Sequence, residues 1–83
     1  MKCKYEVEVQ AQCPCEPENT DRYQFTIESE QMIHVEKIAK FFAENAKLKN
    51  IFQEDLTYKC SVALGAKVTS EAWHHGIKVT CVC

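Results

Sequence analysis

Eighty-three residues make one domain, 1–83, and a chain this short buries only roughly 60% of the surface its unfolded form exposes. Hydrophobic residues make up 46% of it, with two glycines and two prolines, a composition that excludes a disordered chain. A net charge of −2 with Arg22 as sole arginine excludes the basic stripe that a nucleic-acid partner needs, and no uncharged run approaches the roughly 20 residues of a membrane span.

From Cys3 to Cys13 the chain alternates, with Cys3, Tyr5, Val7, Val9 and Ala11 on one face and Lys4, Glu6, Glu8 and Gln10 on the other. This pattern predicts a half-buried strand. Cys13 to Asp21 carries both prolines and several turn formers and predicts a loop. Tyr23, Phe25 and Ile27 then alternate with Arg22, Gln24, Thr26 and Glu28, giving a second strand able to pair antiparallel with the first.

After Gln31 the period changes. Ile33, Ile38, Phe41, Phe42 and Ala46 fall on one stripe, opposite Glu36, Lys37, Lys40 and Glu44, as in an amphipathic helix. Asn45 to Asn50 interrupts it. A second helix is expected from near Phe52, with Phe52, Leu56, Cys60, Ala63 and Leu64 inward and Gly65 closing it. Glu54 and Asp55 sit where the positive end of its dipole favours acids.

Ala66 to Trp73 predicts a third strand with Val68, Ser70 and Ala72 on one face, and His75-Gly76 allows a tight reversal. Ile77, Val79, Cys81 and Cys83 then alternate with Lys78, Thr80 and Val82 as a fourth. The expected class is α+β, in the order β-β-α-α-β-β: a four-stranded antiparallel sheet with two helices packed on one face.

Six cysteines in so small a chain can mean a disulfide framework, but the N-terminal residues Met1 to Glu6 contain no apolar signal region. A cytoplasmic protein with reduced thiols or a metal site is the expectation. In Cys13-Pro14-Cys15 and Cys81-Val82-Cys83 the paired thiols share a strand face. Four thiolates around one zinc would require the two strands to be adjacent and in register.

Four segments resemble a known family. Lys37 to Ala43 and Phe52-Gln53-Glu54-Asp55-Leu56-Thr57 are similar to helical segments of GTP cyclohydrolase I, the second to its Val-Gln-Glu-Arg-Leu-Thr stretch. Val68 to Lys78 resembles its last strand pair, with His74 at the histidine position and Gly76 where a zinc-binding cysteine stands. Gln12-Cys13-Pro14-Cys15-Glu16 resembles the Leu-Cys-Pro-Cys-Ser segment of the second type of GTP cyclohydrolase and, more loosely, the Cys-Pro segment of the 7-cyano-7-deazaguanine reductases.

With the element order, these matches resemble the T-fold, or tunnelling-fold, superfamily. The resemblance implies a homo-oligomer with sites between subunits and a small purine- or pterin-like ligand, while the charge and the short uncharged runs leave neither nucleic acid nor membrane as expected partner. It implies that Glu54 is a buried carboxylate accepting two adjacent N–H donors of the ligand, assisted by Gln53. It also implies a GTP cyclohydrolase-like site with His74 and Cys13 as catalytic residues and zinc on Cys13, Cys15 and His74. The alternative is a binding protein, non-catalytic or like the 7-deazaguanine reductases, without zinc.

Overall fold

The structure, a computed structural model, describes residues 2–13, 16–46 and 51–83, and of 12, 13 and 16–21 the backbone alone. The elements are β1 (Cys3–Cys13), β2 (Glu16–Ser29), α1 (Val35–Asn45), α2 (Gln53–Leu64), β3 (Lys67–His74) and β4 (Ile77–Val82). The strands form one antiparallel sheet in the order β1-β2-β3-β4. Both helices cover the face that carries Phe25, Ile27, Val68 and Ala72, as the alternation predicts.

The first hairpin is longer than expected. β2 begins at Glu16, inside the stretch read as a loop, and the register shifts between Gln12 and Cys13. The reason lies in the neighbouring strand: β3 pairs with β2 only over Tyr23–Glu28. Residues 16–21 therefore ladder with β1 alone, and a proline, which lacks an N–H, is tolerated on a segment with one open side. A bulge absorbs the remaining mismatch.

Helix α1 buries Ile38, Phe41 and Phe42 against β2, where the Phe25 and Phe42 rings lie 4.9 Å apart. Ile33, just outside the helix, is buried and donates its N–H to the Tyr5 hydroxyl at 2.9 Å. Helix α2 ends as expected, with Gly65 left-handed (φ 61°) and its N–H on the Ser61 carbonyl. Its buried face differs from the expected one. Gln53, Leu56, Thr57, Cys60 and Leu64 point inward, while Phe52 stays 44% exposed and Ala63 is exposed. Phe52 is the extended residue before the first turn, so the stripe starts one residue later and takes in two polar side chains at i and i+4.

β1 and β4 lie at opposite edges of the sheet. Cys81 and the residues at Cys13 therefore belong to strands that are not neighbours within one chain, which rules out a four-thiolate site by in-register pairing in a single subunit. Cys3, Cys60, Cys81 and Cys83 are free thiols. Among the described residues, no helix is long and apolar enough to cross a membrane.

Candidate functional site

The polar residues buried in this chain are Gln53, Thr57 and Ser70, among the described residues, and they meet in one place. Gln53 and Thr57 lie one turn apart on α2, and Ser70 is in the middle of β3. The Gln53 amide nitrogen Nε2 donates to Ser70 Oγ (3.0 Å), the Ser70 carbonyl (3.3 Å) and the Val79 carbonyl (3.1 Å). Thr57 Oγ1 donates to the Gln53 carbonyl at 2.7 Å. Because that uses the threonine's single hydrogen, Ser70 is the donor in the 2.6 Å contact between the two hydroxyls. The ring of bonds is closed, and no described buried side-chain N or O atom lacks a partner, as a buried polar cluster requires.

The fourth side of Gln53 faces His74. His74 Nε2 lies 3.0 Å from Gln53 Oε1, and the imidazole is half-buried beside the Tyr23 ring, centroids 6.0 Å apart. Two of the residues singled out from the sequence, far apart in the chain, are thus in direct contact. Glu54 is the next residue of α2. In the single chain Glu54 is exposed, and the burial expected of its carboxylate is one that a second subunit would supply. Glu54 lies close enough to Cys81 on β4 to matter electrostatically: burial first, and then the Glu54 charge, push the Cys81 thiol pKa above its ordinary value.

Four strands in the order 1-2-3-4, with the two helices inserted between hairpins on one face, are matched among solved structures. The archaeosine synthase QueF-Like, in its apo form, superposes with a TM-score of 0.81 at 17% identity, over 99% of this chain and 90% of that one. The fold is the T-fold. No family model and no curated protein matches the sequence.

In the T-fold frame, the remaining sequence expectations divide by place. The side chains of Cys13 and Cys15, two of the three residues expected to hold zinc, lie outside the described residues, and so does the catalytic role expected of Cys13. Among the described residues no three His, Cys, Asp or Glu side chains are grouped closely enough to share a metal ion. A hollow of about 960 Å³ lies at the far end of α2 around Lys2, Lys37, Gly65 and Lys67 and is lined by neither Glu54 nor His74. Ser70 and Thr57 are the site's neighbours that sequence reasoning passed over. The signal was present, since Thr57 follows Gln53 by one helical turn and Ser70 sits between Val68 and Ala72 on the inward face of its strand.

Proposed function

We propose that this T-fold subunit binds a guanine-, pterin- or 7-deazaguanine-like heterocycle through Glu54, at a site completed by a second copy of the chain. The carrying observation is the contrast between adjacent residues: Gln53 is locked into the buried network, while Glu54 is fixed beside it and exposed near the open edge strand β4. A carboxylate held this way is pre-positioned yet unspent. Ionised, it offers two acceptor oxygens, which suit the paired N1–H and 2-amino donors of such a ring. Covering the β4 edge with another copy would bury the carboxylate and strengthen those bonds.

The likeness to an archaeosine synthase supports a 7-deazaguanine-type ligand over a GTP cyclohydrolase-type reaction, as does Gly76 at the position where the cyclohydrolase resemblance calls for a cysteine ligand. A zinc ion on Cys13, Cys15 and His74 would add a Lewis acid to the same site.

The test is thermal stabilisation by 7-deazaguanine, guanine and pterin, with adenine, which lacks the paired donors, as control. A ligand at about 100 times its Kd adds about 2.7 kcal/mol. Glu54→Gln replaces one acceptor by a donor and removes the charge, and it should weaken binding by roughly 10- to 100-fold, in keeping with the 1.5–3 kcal/mol of a hydrogen bond to a charged group. An oligomeric protein stabilised by none of the three ring systems would overturn the proposal.

A further inference from the structure

We propose that the β1 edge of a second copy pairs with the β4 edge in a register that sets Cys83 of one copy opposite Cys3 of the next, a thiol pair that a small disulfide such as oxidised glutathione closes into an interchain disulfide. This rests on the reading that a second copy covers β4, and it fixes which strand of that copy does so.

Hydrogen-bond direction decides which positions can meet. Val68 and Cys83 exchange both backbone bonds, at 2.9 and 2.8 Å, so Cys83 directs its N–H and C=O at β3. Direction alternates along a strand. Cys81, Val79 and Ile77 therefore also direct theirs at β3, and those of Lys78, Thr80 and Val82 point to the open edge. Carried across the sheet through the Thr69/Thr26 and Phe25/Val7 pairs, the same alternation leaves Lys4, Glu6, Glu8 and Gln10 as the outward positions of β1. Because β1 and β4 run in opposite directions, a copy set alongside without turning over presents β1 antiparallel to β4. The outward sets then bond to each other, and Cys3, Tyr5, Val7 and Val9 meet Ile77, Val79, Cys81 and Cys83 on the helix side of the sheet.

Charge selects the partner strand and narrows the register. Lys78 is the charged outward residue of β4, and a second β4 would offer it no carboxylate, whereas β1 offers Glu6 and Glu8. Lys78 lies 2.6 Å from Glu71 yet stays half-exposed, and its ammonium has further hydrogens to donate. Setting Lys78 against Glu6 pushes Val82 opposite Lys2, outside β1, which starts at Cys3. Setting it against Glu8 keeps all six residues of β4 on residues 4–9 of β1. Ile77, 66% exposed in the single chain, then meets Val9, Val79 meets Val7, and Cys83 falls opposite Cys3.

That pair occupies a non-hydrogen-bonded position, where α-carbons are about 4.5 Å apart, within the span of a disulfide. Inside one chain the two cysteines lie at opposite edges of the sheet, three strand spacings or roughly 14 Å apart, too far to bond. Both are free thiols and neither is buried. The Cys83 thiolate attacks the small disulfide and expels one thiolate; the Cys3 thiolate of the next copy attacks the mixed disulfide at the Cys83 sulfur and expels the second. Two protein thiols are oxidised, one small disulfide is reduced to two thiols, and the two cysteine protons pass to them.

The test is oxidation of the assembled, ligand-free protein with oxidised glutathione. Each chain carries one thiol at each edge, so a non-reducing gel should show a ladder extending beyond the dimer, collapsed by reductant, and mass spectrometry should find the Cys3 and Cys83 peptides joined. Cys3→Ser and Cys83→Ser should each give no covalent multimer, the two variants co-expressed should stop at a dimer, and Cys81→Ser should give the full ladder. A ladder that persists in Cys3→Ser or Cys83→Ser, or that is lost in Cys81→Ser, overturns the register. An oxidised oligomer of the unsubstituted protein without the joined peptide overturns the pairing without any variant. Crosslinking is read without ligand, so its failure stands apart from a failure of the heterocycle to bind.

Discussion

The layer between helices and sheet has two halves built on different chemistry. Under α1 it is aromatic and aliphatic, with Phe25, Phe41, Phe42 and Ile38 in contact and ring centroids 4.9 and 5.1 Å apart. Under the N-terminal turns of α2 it is a closed hydrogen-bonded cluster of Gln53, Thr57 and Ser70. Both are buried. The apolar half is stabilised by burial, which is non-directional and tolerates small shifts. The polar half adds little net stability but admits one arrangement, since each group left unpaired would cost about 1–3 kcal/mol. The candidate site lies on the half that specifies position.

The largest effect should come from breaking the apolar half. Phe25, fully buried in the central strand β2, stacks edge-on with Tyr23 and meets Phe42. Phe25→Ala should cost about 3–5 kcal/mol, which in a domain of this size lowers Tm by more than about 12 °C. Urea or thermal unfolding checks it. A loss below about 1 kcal/mol would mean that the aromatic cluster is not what holds α1 to the sheet.

A smaller effect tests how dry the join between the halves is. Cys60, fully buried on α2, has its thiol pKa pushed up by burial from 9.0 to about 12. The folded chain thus keeps the thiol neutral where the unfolded chain ionises it. Stability from this group is complete below about pH 9 and is lost as pH rises toward about 12. The advantage of the unsubstituted protein over Cys60→Ala should shrink by about 1.4 kcal/mol per pH unit above that point, hence by about 2 kcal/mol between pH 8 and pH 10.5. Paired urea titrations at the two pH values read it directly. A constant difference would show that solvent reaches Cys60.

The two halves were not equally legible in the sequence. The alternation of Tyr5, Val7 and Val9, the stripe of Ile38, Phe41 and Phe42, and Gly65 as helix stop all follow from residue type, because apolar periodicity reports burial. The burial of Gln53 and Thr57 was hidden for the same reason in reverse: residue type assigns a polar side chain to solvent, and only a partner from elsewhere in the chain, here Ser70 and the Val79 carbonyl, reverses that. The prolines hid the start of β2, since whether a missing N–H matters depends on which strand lies alongside. Strand order, which separates the two Cys-x-Cys segments, is likewise a property of the assembled sheet. His74 and Glu54 were found through resemblance, and that one is half-buried and the other exposed was visible only in three dimensions.

The smallest effect lies at the hairpin tip that presents His74. His75 occupies a left-handed conformation (φ 52°) that costs a side chain with a Cβ roughly 1–2 kcal/mol and that asparagine visits readily, and Asn-Gly is the preferred sequence for this turn. His75→Asn should therefore raise stability by about 0.5–1 kcal/mol, or several degrees in Tm. His75→Gly should gain less, because glycine also loosens the unfolded chain. Ligand binding then decides why histidine stands there. If His75→Asn is more stable and binds 7-deazaguanine as before, the tip only has to turn. If it is more stable and binds worse, the strain is kept for the site, and the positional half of the molecule extends from Gln53 through His74 to the tip itself. A variant that is less stable than the parent would show that the turn does not carry the strain assigned to it.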